Sequence, residues 1–269
     1  MYEYLGYAGA IVVGLLVVLI GAGGSILTVP VLVYLFHISP VIATGYALLI
    51  VGTTSIISTL SYIRRQLVNY RIAVIFGIPS VLAVYLTRRY MLPAIPDEMF
   101  TIGDTLITKD SFLMLLMGCL IFVSATTMVL VKRKYDTTDE PDLNTFYYTR
   151  MILIEGLIIG VLTGLVGTGG GFMIIPALVI MCNQPIKTAI GTALLIASAK
   201  SGIGFLGEMS TNSNIDYELI FKFTGFALVG IAIGTYLSDK ISGYKLRNYF
   251  GYFLYLVGVI ILIKEIFSL

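Results

Sequence analysis

Long apolar stretches alternate with short polar connections along this chain. The runs from Ile72 to Leu86, Phe112 to Val131, Ile190 to Phe205, Phe221 to Leu237 and Phe250 to Ile263 carry almost no charge. With their flanks they approach the roughly 20 residues that a helix needs to cross about 30 Å of hydrocarbon, and they predict spanning helices. Two further apolar segments, Leu5 to Phe36 and Met151 to Cys182, are each broken in the middle. The first break is Gly21-Ala22-Gly23-Gly24-Ser25, running to Val29-Pro30; the second is Gly167-Thr168-Gly169-Gly170-Gly171, running to Ile175-Pro176. Glycine and proline cost about 1 and 3 kcal/mol in a helix interior, so breaks at matching places predict a pair of discontinuous helices.

The breaks belong to an internal repeat with a constant offset of 146 residues, Gly21 to Gly167. Gly23, Gly24, Pro30, Leu32 and Val33 match Gly169, Gly170, Pro176, Leu178 and Val179. The match continues without a gap: Ala43, Gly45, Ala47, Leu48, Leu49, Ile50 and Ser55 face Ala189, Gly191, Ala193, Leu194, Leu195, Ile196 and Ser201. Between the halves lies a polar stretch, Lys132 to Arg150, with Asp136, Asp139, Glu140, Pro141 and Asp142, which reads as a solvated linker. The expected division is residues 1–135 as the first membrane repeat, 136–150 as a cytoplasmic linker and 151–269 as the second repeat, within one transmembrane domain. The fold class is an all-α polytopic membrane protein, each repeat a broken, re-entrant helical hairpin followed by three transmembrane helices.

Charge in the connections orients the halves. Ser61 to Arg71 carries Arg64, Arg65 and Arg71, whereas its counterpart, Gly207 to Glu218, carries Glu208, Asp216 and Glu218 and no basic residue. Short loops rich in Lys and Arg stay in the cytoplasm, so the first loop is expected inside and the second outside, and the repeats are inverted. Lys132, Arg133 and Lys134 place the linker inside, and Lys240, Lys245 and Arg247 do the same for the connection after Leu237. Both termini are then expected outside a cytoplasmic membrane. Ser25 to Phe36 makes only about 18 Å of helix at 1.5 Å per residue, too short to cross, and Phe172 to Cys182 is shorter still. Both hairpins are therefore expected to turn near the bilayer centre. Irregular backbone is tolerated there only when buried in protein or lining a watery cavity.

Composition agrees with a membrane and narrows the function. The 269 residues are 58% apolar and 12% charged, with a mean hydropathy of +0.96. The net charge of +2 lies at helix ends and forms no stripe, which argues against a nucleic-acid partner. The first apolar run lacks the basic start and cleavage site of a secretory signal and reads as part of the mature fold. Cys119 and Cys182 sit in apolar segments of opposite halves and read as small core residues. No metal and no cofactor is implied.

The breaks themselves suggest the chemistry. A helix that starts just after a glycine turn directs unpaired N–H groups and its positive end at whatever lies there. Half-helices beginning near Ser25 and Phe172 aim two such ends at one place, and Ser25, Thr28 and Thr168 add hydroxyl donors. Glycine lets a ligand approach the backbone closely. The arrangement favours an anion.

These residues resemble a known family, the sulfite exporter TauE/SafE family, also called the four-toluene-sulfonate uptake permease family. The resemblance rests on Gly21 to Ser25 with Val29-Pro30-Val31-Leu32, on Ala43-Thr44-Gly45-Tyr46-Ala47-Leu48, and on Gly167 to Pro176 with Ala189-Ile190-Gly191-Thr192-Ala193-Leu194. It covers nearly the whole chain. It implies movement of small sulfur-containing anions, such as sulfite, thiosulfate or organosulfonates, across the cytoplasmic membrane. Tyr46 stands where the second half has Thr192, and its bulk is expected to alter pocket size or selectivity.

The expected substrate-binding set is Gly21, Gly23, Gly24, Ser25, Thr28, Gly167, Thr168, Gly169, Gly170, Gly171, Tyr46, Thr192, Ser55, Lys200 and Ser201. Lys200 lies well inside a span and either attracts an anion, or snorkels to an interface or pairs with a carboxylate. Glu155, a few residues inside its helix, reads as interfacial. Thr53, Thr54, Ser55, Ser58 and Thr59, with Ser198 and Ser201, either line a polar path or bond back to their own helices. His37 reads as a solvated loop residue, and Tyr62, Tyr70 and Tyr90 as interfacial anchors.

An enzyme is not expected: one histidine cannot make H-E-x-x-H, and no G-x-S-x-G elbow or G-x-x-x-x-G-K-[ST] loop occurs. Export of one negative charge gains about 2.3 kcal/mol per 100 mV from an inside-negative potential, so export is the favoured direction, while uptake needs a cotransported coupling ion. A passive anion channel on the same frame is the alternative, and an intramembrane enzyme a weaker third. Neither the oligomeric state nor the particular anion is legible.

Overall fold

Without water in the hydrocarbon region, backbone polar groups must be satisfied within the segment, and a helix does so. The computed structural model describes residues 2–102, 105–130, 146–210, 215–238 and 243–268. In chain order it contains α1 (Tyr2–Leu19), a 3₁₀ segment (Gly21–Leu27), α2 (Thr28–Leu35), α3 (Pro40–Arg64) and α4 (Tyr70–Leu86). A π-helical turn (Thr87–Met91) and α5 (Leu92–Ala94) continue α4; α6 (Lys109–Leu130), α7 (Phe146–Val166), α8 (Gly171–Ile180), α9 (Ile186–Met209), α10 (Tyr217–Ser238) and α11 (Gly243–Ser268) follow. Among the described residues, seven helices are long and apolar enough to cross a membrane: α3, α4 extended to Ala94, α6, α7, α9, α10 and α11. The all-α polytopic expectation holds; three of the seven long helices follow each break, and the seventh, α7, is the arm before the second break, long enough to cross although that segment is expected to turn back near the bilayer centre.

Several boundaries differ from the expectation. A short antiparallel hairpin, β1 (Glu98–Ile102) with β2 (Thr105–Thr108), joins α5 to α6, and its β-branched and aromatic residues were overlooked beside the apolar runs. Helix α7 starts at Phe146 and so takes in residues 146–150, and Glu155 lies about 14 Å from its start at 1.5 Å per residue, half-buried. Helix α9 continues to Met209, which takes Glu208 out of the expected loop and buries it. Lys245 and Arg247 belong to the start of α11 rather than to a loop. The linker residues 131–145 and Lys240 lie outside the described residues. Cys182 is buried as expected, but Cys119 is exposed on α6 and is no core residue.

The helices pair reciprocally. α1 packs on α10 and α7 on α4; α3 packs on α9, and α6 on α11. Exchanging the halves returns the same set of pairs. Small residues let the backbones meet, as membrane packing requires when apolar burial between helices gains nothing over lipid. A methyl group at Gly14 of α1 would stand 1.8 Å from the Ala227 carbonyl oxygen, and one at Gly230 would stand 1.9 Å from the Ile11 carbonyl oxygen. In the other half, methyl groups at Gly156 and Gly160 of α7 would stand 2.5 and 2.6 Å from the Phe76 and Ser80 carbonyl oxygens.

The repeat also reaches backbone detail. His37 and Asn183, 146 residues apart, both adopt positive φ, +55° and +49°, just past the short helices α2 and α8. The following amides, Ile38 and Gln184, each bond back to the carbonyls of Leu32 and Leu178 at 3.2 Å, a left-handed cap that ends both helices alike.

Candidate functional site

Each hairpin breaks in its own way. At the first break Gly21 takes a φ of +75°, and a 3₁₀ turn leads into α2, so the α-helix expected near Ser25 begins at Thr28. A methyl group at Gly21 would crowd Ile190 and Ile175 at 2.8 and 2.9 Å. Gly23 and Gly24 lie in the backbone of this turn, and their surroundings fall outside the described residues. The second break is tighter: Gly167, Gly169 and Gly170 have φ of +73°, +65° and +70°, a region L-residues rarely occupy, and α8 starts at Gly171. The two breaks touch, since Ser25 Oγ donates to the Thr168 carbonyl at 2.5 Å.

A buried cation stands at the second break. Lys200 is 1% exposed and donates from Nζ to Thr163 Oγ1 at 2.9 Å. It does not snorkel, and among the described residues it has no carboxylate partner. A methyl group at Gly170 would stand 2.6 Å from Lys200 Nζ and 2.1 Å from Thr163 Cγ2. The ammonium thus lies beside the N-terminus of α8, whose N-cap Gly170 offers no side-chain acceptor to the first amides. Ser201 Oγ would stand 3.0 Å from a methyl at Gly169.

Hydroxyls separate into two groups. Thr53, Thr54, Ser58, Thr59 and Ser198 each donate to a carbonyl of their own helix three or four residues back. Thr28, Ser55, Thr168 and Ser201 are buried with no hydrogen-bond partner among the described residues. Buried polar groups are normally satisfied, so these four of the six open buried hydroxyls among the described residues, the other two being Tyr34 and Ser80, call for a ligand or ordered water: two lie on the breaks and two at matching positions of α3 and α9. These four were singled out in the sequence.

Tyr46 and Thr192 do different work. Tyr46 OH accepts the Asp216 amide at 2.8 Å, and Thr192 Oγ1 accepts the Asn69 amide at 2.9 Å. Each counterpart holds the connection that follows the other half's long helix. Of the expected anchors, Tyr70 and Tyr90 are exposed. Tyr62 is not an anchor: it is buried and donates to the Val18 carbonyl at 2.9 Å, in the last turn of α1 before the first break.

The sequence reading missed an ion pair at the equivalent place of the second half. Arg88, fully buried in the π-helical turn, contacts Glu208 Oε2 from Nη1 at 3.0 Å, and its Nη2 donates to the Leu165 carbonyl at 3.4 Å, in the last turn of α7. Glu208 is the counterpart of Tyr62 at the 146-residue offset. Arg88 lies just past the apolar run that ends at Leu86, and the helix that continues to Ala94 carries it. Arg88 and Glu208 compensate each other, whereas Lys200 has no carboxylate partner among the described residues.

A groove of about 710 Å³ between α4 and α9 lies apart from these groups. Its walls, among them Val74, Gly77, Ile78, Leu195 and Ile196, are apolar and offer nothing to an anion. Among the described residues no cluster of His, Cys, Asp or Glu has the make-up of a metal site.

The profile of the family described as Sulfite exporter TauE/SafE matches residues 7–261. The probable membrane transporter protein YunE of Bacillus subtilis is 25% identical, with 93% of each chain covered. A probable membrane transporter protein of Xylella fastidiosa is 26% identical, over 96% of this chain and 94% of its own. The probable membrane transporter protein MJ0441 of Methanocaldococcus jannaschii is 27% identical, over 94% and 92%. No solved structure matches with significance. The chain belongs to the sulfite exporter TauE/SafE family, a family of multi-pass membrane transporters and not of enzymes.

Proposed function

We propose that this protein is a secondary transporter that exports a small sulfur-containing oxyanion such as sulfite, thiosulfate or a short sulfonate, bound between the two glycine breaks. The observation that carries the reading is Lys200: a buried ammonium whose one partner among the described residues is the Thr163 hydroxyl, beside the N-terminus of α8. A buried charge without a counter-charge is costly, and an arriving anion removes that cost. The oxyanion takes its charge partner from Lys200, N–H donors from the start of α8, and hydroxyl donors from Thr168, Ser201, Ser55 and Thr28. Three donor types converging on one anion favour an oxyanion with several acceptor oxygens over a halide.

The protein resides in the cytoplasmic membrane with both termini outside and the repeats in opposite orientation, so that the breaks approach one centre from the two faces. Rocking of one repeat against the other alternates access to that centre. An inside-negative potential drives a monoanion outward by about 2.3 kcal/mol per 100 mV, with no coupling ion required for export. The test is flux of radiolabelled sulfite, thiosulfate and methanesulfonate from liposomes holding the purified protein, with and without an imposed potential. Potential-dependent, saturable flux that Lys200→Gln abolishes supports the reading; flux indifferent to Lys200 removes the breaks as the site, and unsaturable flux points to a channel.

A further inference from the structure

The Arg88–Glu208 pair has features that structural support does not explain. Capping the end carbonyls of the broken helix does not require a charge pair, because at the equivalent place in the first half the neutral Tyr62 holds the Val18 carbonyl. Burying a charge pair is in general no better for stability than apolar packing of the same shape. Room is nonetheless made for this one. A methyl group at Gly45 of α3 would stand 2.9 Å from Glu208 Cδ, and one at Gly167 would stand 2.6 Å from Arg88 Nη2. Among the described residues Arg88 Nε is buried without a partner. The guanidinium sits in the one π-helical turn among the described residues, and such turns frequently occur at functional sites.

The geometry relates the pair to Lys200. Residues 200, 204 and 208 recur every four positions and share one face of α9, with Gly204 between the two charged side chains. A methyl at Gly204 would meet Val84 of α4 at 2.5 Å, so this face is turned to the helix that carries Arg88. Lys200 and Glu208 are about 12 Å apart along the axis at 1.5 Å per residue. The break lies between them: Gly170 adjoins Lys200, and Gly167 adjoins Arg88.

We infer that Arg88 is a second anion-binding group, masked by Glu208 in the observed state, and that a small oxyanion leaving Lys200 displaces the Glu208 carboxylate from Arg88 on its way past Gly167. The inference rests on the anion reading of the Lys200 site. Carboxylate and sulfite oxyanion are chemically alike as acceptors, and a guanidinium takes either in the same forked geometry. Glu208 therefore serves as an internal competitor. It keeps Arg88 compensated when the path is empty, and it ejects the anion by re-forming the pair, which prevents the second cation from becoming a trap. Arg88 pairs with Glu208, and Lys200 lies about two turns from Glu208 along α9.

The experiment measures sulfite affinity calorimetrically for the full chain in lipid nanodiscs, and sulfite efflux from liposomes, for wild type, Glu208→Gln, Arg88→Gln/Glu208→Gln and Lys200→Gln. Removing the competitor is expected to tighten sulfite binding at least fivefold and to slow efflux. The double variant, which keeps both shapes without charge, is expected to return the affinity to the wild-type value. Should Glu208→Gln not yield folded protein, Glu208→Asp, with its shorter reach, is expected to tighten binding in the same direction by less. Unchanged affinity in Glu208→Gln, or tightening that persists without Arg88, overturns the inference while leaving the Lys200 site standing. Equal sulfite affinity in wild type and Lys200→Gln overturns the underlying reading and this inference with it.

Discussion

Lys200 owes its state to what surrounds it more than to its own helix. It follows Ala199 in an apolar helix, and only the folded chain brings Thr163 and Gly170 against its ammonium. A hydrogen bond to a charged group is worth about 1.5–3 kcal/mol, so Lys200→Gln should weaken sulfite binding by roughly tenfold to a hundredfold. Calorimetry on the purified variant checks this. Gly170→Val acts on the same spot from the backbone side: its φ of +70° disfavours a β-branched residue, and its side chain would enter the space of Thr163 and Lys200. Transport should be lost while the protein still inserts, which flux together with membrane fractionation will report. Thr28 and Ser201 were legible as polar residues on the predicted paths, whereas Thr163 gave no signal, because nothing in an isolated helix says which neighbour a hydroxyl will face.

Elements are held by close backbone approach at glycine. Gly14 and Gly160 occupy equivalent places on α1 and α7, and each meets a carbonyl of its partner helix. Gly14→Leu and Gly160→Leu should each push two helices apart and lower the thermal unfolding temperature in detergent, by overpacking worth about 1–3 kcal/mol or more. Gly225 on α10 has nothing within 4 Å of an added methyl group, so Gly225→Ala should be neutral or stabilising by about 0.4–1 kcal/mol. The two leucine variants losing stability while Gly225→Ala does not would tie the effect to the interfaces; equal loss in all three would refute it. The glycines were visible in the sequence, but which of them meet another helix and which face open space was decided by the pairing of α1 with α10 and α7 with α4.

At the scale of the whole molecule, charge distribution sets orientation. The connection 65–69 begins with Arg65, which caps α10 by donating to Ser238 Oγ at 2.9 Å, whereas the connection after α9 carries Asp216 and no basic residue. In a Cys119→Ser/Cys182→Ser background, a cysteine at Gln66 should react with an impermeant maleimide only from the cytoplasmic side. One at Asp216 should react only from outside, and both reacting from one side would refute inverted repeats. The loss of Glu208 from the expected outer loop leaves this argument intact, because the rule counts basic residues and that loop has none.

The membrane class, the count of spans after each hairpin, the two breaks and the repeat that relates them were determined by the sequence itself. Each is written in local composition: apolar length for spans, glycine and proline for breaks, and a fixed offset for the repeat. What only the tertiary structure decided is which polar groups are used up and which stay open. Among the described residues, Tyr46 and Thr192 are consumed by holding loops; Ser55 and Ser201 are left without partners; Lys200 has no carboxylate, and Arg88 has one. The partners in these contacts lie 37 to 170 positions apart. Periodicity and propensity act over a few residues, so they carry no information about pairings at that range.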